Sequence, residues 1–143
     1  KSFSLAYTQR VLSKIHKTFN GETIPSIVFT KGGGLWMSEM QSLDCNVLGM
    51  DWSVNLAKAR AQLGATHALQ GNLDPNVLFA SPEQVTEQAK AVLDSFGQPH
   101  QGEGKGPTHI FNLGHGISQF TPPENVAVLV EAVHSHSKAM RQK

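Results

Sequence analysis

Short apolar runs alternate along this chain with longer stretches whose apolar residues recur every three or four positions. The short runs are bounded by Gly, Pro or Asp and are typical of buried β-strands. The longer stretches are typical of helices that bury one face. This pattern predicts four strands, at residues 25–30, 46–51, 66–70 and 109–113.

Amphipathic helices are predicted before, between and after these strands. They are expected at residues 3–19 and 35–43, from the cap Asn55 to Gly64, from Ser81 to Gly97, and from Thr121 onward. In the last helix the predicted apolar stripe consists of Val126, Leu129, Val130 and Val133. Residues 98–107 are rich in Gly and polar residues and predict a surface loop.

Local start and stop signals support these helices. Ser81-Pro-Glu-Gln84 and Thr121-Pro-Pro-Glu124 have the pattern of capping boxes, and Asp74 before Pro75 is a further start signal. Glycines are placed to end three helices, at Gly21, Gly64 and Gly97.

The order is one helix followed by four strand-loop-helix units, which predicts a parallel sheet with right-handed crossovers. Two architectures fit: an open doubly wound sheet, or half of an eight-stranded barrel. No Gly-x-Gly-x-x-Gly follows a strand, which weakens the dinucleotide-binding form of the open sheet. Polar loops after every strand favour the barrel. We therefore expect residues 1–143 to form a single α/β domain, an incomplete half-barrel from a larger chain.

Composition narrows the classes of partner. The formal net charge is +1 over 143 residues and the basic residues form no cluster, so neither nucleic acid nor an anionic membrane surface is expected. No apolar run approaches the length of a membrane span. Cys45 is the single cysteine, which excludes a disulfide framework and suits a reducing cytosol.

The strongest functional candidate is His115, between Gly114 and Gly116 on the loop that leaves the fourth strand. Parallel α/β enzymes place their chemistry on such loops. Asn112 lies nearby in sequence. The structural alternative is a tight turn whose histidine merely caps or packs.

Polar groups after the first two strands have two interpretations each. Lys31 with the three glycines of residues 32–34 suits either an anion nest or a flexible turn. Asp51 is interpreted as a residue that stabilises its own loop rather than as a base, and Trp52 as a core or interface residue rather than a stacking platform.

After the third strand, Asp74 is explained as a helix cap, whereas Gln70 and Asn72 are free to point into a cleft. A metal site is not expected, because no His-x-x-x-His or paired-cysteine pattern occurs. The remaining histidines are assigned no function; they are His16, His67, His100, His109, His134 and His136.

Four motifs occur in order along nearly the whole chain: Thr30-Lys-Gly-Gly-Gly34, Leu48-Gly-Met-Asp-Trp52, Ala68-Leu-Gln-Gly-Asn-Leu-Asp-Pro75, and His109-Ile-Phe-Asn-Leu-Gly-His-Gly-Ile117 with Thr121-Pro-Pro-Glu-Asn-Val126. Together they resemble the carboxyl-terminal part of the uroporphyrinogen decarboxylase family. The resemblance implies the carboxyl-terminal half of a (β/α)8 TIM barrel, usually a cytoplasmic homodimer with facing clefts.

The resemblance also implies an activity. The family removes carbon dioxide from the four acetate side chains of uroporphyrinogen III, giving coproporphyrinogen III in haem biosynthesis, without metal or organic cofactor. The cleft histidine of the Gly-His-Gly corner matches His115, which is expected to bind the substrate.

No catalytic residue is assigned to this chain. The family's central aspartate, its amino-terminal arginines, a tyrosine and a serine or threonine have no counterpart here, so the chain alone is expected to be inactive. Arg10, Arg60, Arg141 and Tyr7 all lie in predicted helices and do not replace them.

Two other functions remain open at this point. One is a non-catalytic half-barrel that binds or assembles by pairing its sheet edges with a second copy. The other is a corrinoid-linked methyltransferase of the same fold. Its zinc-dependent forms need additional Cys and His ligands, whereas Cys45 stands alone.

Overall fold

The computed structural model describes residues 3–100 and 106–142. Five α-helices are present in these ranges: α1 Leu5–Leu12, α2 Met37–Met40, α3 Leu56–Leu63, α4 Pro82–Phe96 and α5 Pro123–Arg141. Six strands accompany them: β1 Thr18–Phe19, β2 Glu22–Thr23, β3 Ile27–Phe29, β4 Val47–Gly49, β5 Ala68–Leu73 and β6 His109–Leu113. Two 3-10 helices cover Gly33–Trp36 and Pro75–Phe79.

The main sheet has the order β3-β4-β5-β6, and all three strand pairs are parallel. In the register, Val28 lies beside Leu48 and Leu48 beside Leu69. The spatial order follows the chain order without reversal, whereas doubly wound sheets reverse at a switch point. The predicted part-barrel of four parallel strands alternating with helices is therefore confirmed.

Helices cover one face of this sheet. Leu48 and Leu69 have no exposed surface and pack with residues of α3 and α4 in one hydrophobic cluster. A second cluster joins the end of β5 to α4 and α5 through Leu73, Val85 and Leu129. Together the two clusters hold α3, α4 and α5 against the sheet.

The other face of the sheet is open at its edges. Ile27 and Phe29 alternate with the core residue Val28, and they remain 48% and 46% exposed. Ile110 of β6 is also exposed. The central strand β4 is buried throughout, so incomplete burial is concentrated in the two outer strands.

Most predicted caps are confirmed. The Ser81 hydroxyl accepts from the Gln84 amide, and the Gln84 side chain accepts from the Ser81 amide, completing the capping box. Asn55 caps α3, and Asp74 caps the 3-10 helix that starts at Pro75.

The second predicted capping box is wrong. The helix α5 starts at Pro123 with Pro122 as N-cap, and no side chain of the described residues caps it. Thr121 therefore lies one position outside the cap. Its hydroxyl is buried and finds no hydrogen-bond partner among the described residues.

The predicted helix at residues 3–19 is also wrong in its second half, because α1 ends at Leu12. Residues 18–23 form a two-stranded antiparallel hairpin instead. Its turn, Asn20-Gly21, has positive φ at both residues, 50° and 83°. Asn-Gly is the preferred pair for such a turn, so Gly21 marks a hairpin and not a helix end.

Other details also differ from the predictions. The first two main-sheet strands are shorter than predicted, at Ile27–Phe29 and Val47–Gly49. The third strand runs to Leu73 and not to Gln70, because residues 71–73 continue the pairing with β6. Residues 35–43 form only the end of a 3-10 helix and the short α2. In α5, Val130 is 48% exposed, and the buried positions are Asn125, Leu129 and Ala132. Of the loop predicted at residues 98–107, residues 101–105 lie outside the described residues.

Candidate functional site

The carboxyl ends of the four parallel strands lie along one edge of the sheet, as predicted. Their loops carry Lys31, Trp52, Asp74 and His115. The His115 ring makes edge-on contacts with Trp52, at a centroid distance of 5.9 Å, and with Phe29, at 6.3 Å. Three loops and strands that are distant in sequence therefore meet at this imidazole.

The two glycines beside His115 have different roles. A side chain at Gly114 would overlap the backbone nitrogen of Trp52 and approach its Cα within 2.9 Å. The Gly114 amide also donates to the Leu73 carbonyl oxygen at 2.7 Å. No atom of the described residues lies within 4 Å of a Cβ placed on Gly116. Gly114 therefore docks the corner onto the neighbouring loop, whereas Gly116 faces open space.

A shallow cleft of about 320 Å³ opens beside this corner. Its lining comes from the loops after β4, β5 and β6, and includes Trp52, Asp74, Phe79, His115 and Ser118. The His115 side chain is exposed to this cleft, and its ring has no hydrogen bond among the described residues. An imidazole without a hydrogen-bond partner is able to donate a hydrogen bond to a ligand or to accept one from it.

Asp51 stabilises its own loop. Its carboxylate is 2% exposed and accepts hydrogen bonds from the Gly32 amide and from the amide and hydroxyl of Ser53. Burial raises the pKa of Asp51, but these hydrogen bonds and the charge of Lys31 outweigh it and hold the pKa below its ordinary value. The interpretation as a structural residue is thus favoured over that of a rim base.

The predicted anion nest at residues 31–34 is largely used by the protein itself. The Gly32 amide donates to Asp51, and the Gly33 amide donates to the Thr30 carbonyl oxygen. These two amides are therefore not available to an anion. The Lys31 ammonium lies 5.2 Å from the centroid of the Trp52 ring.

Asn72 does not point freely into a cleft, contrary to the prediction. It is 6% exposed, and its amide donates to the carbonyl oxygens of Asp51 and Val54 at 2.8 and 2.6 Å. This side chain ties β5 to the loop after β4. Gln70 is partly exposed, and Asn112 is exposed on the outer strand β6.

Two other histidines are engaged in the packed interior. His67 is buried, and its ring lies 3.1 Å from the Leu43 carbonyl oxygen. His109 stacks on Phe96 at 4.6 Å and donates to the Gly71 carbonyl oxygen at 2.7 Å. Burial lowers the pKa of His109, and the hydrogen bond only partly offsets this effect.

The contribution of Phe29 to the site was not predicted from the sequence. In the first main-sheet strand, Ile27 and Phe29 lie on one face and Val28 on the other. Gly49 leaves room for Phe29, because a Cβ there would lie 3.0 Å from the Phe29 ring. An exposed aromatic residue beside a strand glycine is the signal that could have identified it.

Within residues 3–100 and 106–142, no cluster of three His, Cys, Asp or Glu side chains is arranged to hold a metal ion. None of the helices in those same ranges combines the length and apolarity that a membrane span requires.

Comparison with known proteins identifies the family. The model of the uroporphyrinogen decarboxylase family matches residues 1–136. The chain is 68% identical over 141 residues to the uroporphyrinogen decarboxylase of Albidiferax ferrireducens, covering 99% of this chain and 38% of that protein. It is 64% identical over 150 aligned positions to that of Delftia acidovorans, covering 100% of this chain and 40% of that protein. The chain thus spans about two fifths of the length of these curated relatives.

Proposed function

The chain belongs to the uroporphyrinogen decarboxylase family, and from this premise we propose that it is the carboxyl-terminal part of a decarboxylase acting on uroporphyrinogen III. The reaction removes carbon dioxide from the four acetate side chains and gives coproporphyrinogen III in haem biosynthesis. The observation that carries this proposal at the level of the site is the exposed His115, which lies between Trp52 and Phe29 where the strands end.

The chemistry needs no organic cofactor or metal. Protonation of a pyrrole carbon makes the ring an electron sink, and the electrons of the breaking carbon–carbon bond then form an exocyclic alkene as carbon dioxide leaves. Reprotonation of that alkene gives the methyl product. The protein has to bind carboxylates and pyrrole N–H groups and supply protons.

In this scheme His115 binds the substrate through a hydrogen bond from its imidazole. Its exposure on a loop and its lack of a hydrogen-bond partner among the described residues support this role. The aromatic contacts with Trp52 and Phe29 restrict the orientation of the ring.

The chain alone is proposed to be inactive. The family's central aspartate, amino-terminal arginines, tyrosine and serine or threonine lie in the part of the relatives that this chain does not cover. Its arginines do not substitute for them. The Arg60 guanidinium donates to the Phe96 carbonyl oxygen at 2.6 Å and lies over the Phe96 ring, at the amino-terminal side of β6. We further propose that the complete protein is a cytoplasmic homodimer with facing clefts, as the family resemblance implies.

The test is a decarboxylation assay with uroporphyrinogen III on the complete gene product and on the 143-residue chain. We expect coproporphyrinogen III from the complete product and none from the chain. A complete, folded product that leaves uroporphyrinogen unchanged would refute the proposed function.

A second proposal concerns the chain by itself. Among the described residues, the outer strands β3 and β6 each pair with one neighbour only, and unpaired strand edges promote pairing with other chains. A half-barrel without its complement is thus expected to oligomerise through these edges, which is the non-catalytic assembly function considered from the sequence. Sedimentation of the purified chain tests it, and a stable monomer would contradict it.

A further inference from the structure

Three residues at the carboxyl edge of the sheet form a continuous row. The Lys31 ammonium lies over the face of the Trp52 ring, 5.2 Å from its centroid. The His115 ring contacts the same indole edge-on, with an interplanar angle of 87°. Each member comes from the loop after a different strand, so the row is a product of the fold and not of local sequence.

Among the described residues, no ion pair joins the Lys31 ammonium to a carboxylate. The ion pairs in the described part of the chain join Lys17 to Asp44 and His136 to Asp94. The carboxylate nearest in sequence to the row, Asp51, already accepts three hydrogen bonds from Gly32 and Ser53. The charge of Lys31 acts on Asp51 only through space, lowering its pKa.

The contact with Trp52 holds the ammonium in place. A cation over an indole face is attracted by the ring quadrupole, and the N–H groups that point away from the ring remain able to donate. A lysine that is positioned but not neutralised is suited to an anionic group of a ligand.

From these observations we propose that Lys31, Trp52 and His115 form a carboxylate-binding subsite. The Lys31 ammonium and the His115 imidazole each donate a hydrogen bond to a carboxylate of the ligand, and the indole of Trp52 contacts both donors. The expected ligand class is a tetrapyrrole with several carboxylate side chains. This inference rests on the proposed function and names a further binding residue, Lys31, for the same site.

The test uses the complete gene product and uroporphyrin, the stable oxidised porphyrin with eight carboxylates, whose binding is followed by its absorbance. Lys31→Met is expected to weaken binding about tenfold, since a hydrogen bond to a charged group is lost. Lys31→Arg retains the cation and is expected to stay within about threefold of wild type. The matched control is Lys58→Met on α3, an exposed lysine that lines the neighbouring cleft, with an expected change below about twofold.

Trp52→Leu tests whether the row acts as a unit. If Trp52 positions Lys31, the double variant Lys31→Met/Trp52→Leu is expected to bind little more weakly than the more affected single variant. If the effects of the two single variants on the binding free energy were fully additive, Trp52 would not position Lys31. Measurements at low and high salt are expected to show a smaller salt dependence for Lys31→Met than for wild type.

The outcomes separate the two proposals. Wild-type protein that decarboxylates uroporphyrinogen and binds uroporphyrin, with Lys31→Met binding as tightly as wild type, would overturn the subsite and leave the proposed function intact. Wild-type protein that neither reacts with uroporphyrinogen nor binds uroporphyrin would overturn both.

Discussion

The strand β6 has an imidazole at each end, and the two are in opposite environments. His109, where the strand begins, stacks on Phe96 and donates to the Gly71 carbonyl oxygen. His115, just past the end of the strand, is exposed and touches Trp52 and Phe29 only by ring edges. One ring is part of the packed structure and the other faces the cleft.

This difference shows that the role of a histidine in a parallel sheet depends on the strand end at which it lies. The residue type alone does not distinguish a packed ring from one that is available to a ligand. Helices cover the strands near His109, and burial there disfavours a charged ring. At the carboxyl edge the loop that carries His115 is exposed, so the ring is accessible to a ligand. The following predictions test whether the two rings differ in this way.

The largest expected effect is on folding. His109→Ala removes the stack on Phe96 and leaves the Gly71 carbonyl oxygen unpaired, so the free energy of unfolding should fall by about 2–4 kcal/mol. The matched variant His115→Ala should change it by less than about 0.5 kcal/mol. Denaturant unfolding of the complete gene product measures both, and equal losses would contradict the comparison.

The next effect concerns the corner that presents His115. Gly114→Ala places a methyl group against the Trp52 backbone and should cost about 1–3 kcal/mol of stability, because the two loops must separate. Gly116→Ala, where the added group meets nothing within 4 Å, should cost less than about 0.5 kcal/mol. Unfolding curves that show the same cost for both glycines would mean that the corner is not docked as described.

For activity, His115→Asn in the complete gene product should lower kcat/KM for uroporphyrinogen by about tenfold or more, equivalent to about 1.4 kcal/mol of transition-state stabilisation. The unfolding midpoint should stay the same, since the ring is exposed. Wild-type kcat/KM in this variant would remove His115 from the site.

The smallest expected effect is a pH dependence of stability. Because burial lowers the pKa of His109, the unfolded chain binds a proton more readily than the folded protein does. The stabilisation from the neutral ring is fully present above about pH 6.5, the ordinary value, and is lost as the pH falls through it toward the folded pKa. His109→Phe should reduce this loss in denaturant unfolding between pH 7.5 and pH 5.5, and a loss as large as in wild type would contradict the burial of the His109 ring.

Much of the fold could be predicted because its signals are local. The cap at Ser81 and the start at Asp74 depend on residues within a few positions of each other, and both are confirmed. The four main-sheet strands and their parallel order followed from the alternation of apolar runs with amphipathic stretches. The hairpin at Asn20-Gly21 was missed although its signal is local, because the apolar residues before it also fall at helical spacing.

The site was harder to predict because its contacts are long-range. Asn72 was expected in a cleft, but its amide is used by carbonyl groups of another loop, at Asp51 and Val54. Phe29 joins His115 only because the fold brings β3 and the loop after β6 together. The residues around Phe29 in the sequence do not indicate that it contacts His115, and those around His115 do not indicate that it contacts Phe29.

The most direct test of the central claim, that the carboxyl edge with His115 binds the ligand and the His109 end does not, is histidine NMR. The complete gene product would be labelled with ¹³C-histidine and titrated with uroporphyrin, and the His115 and His109 signals assigned from their single variants. We expect the His115 signal to shift on binding and the His109 signal to stay in place. A shift of His109 with His115 unchanged would contradict the account.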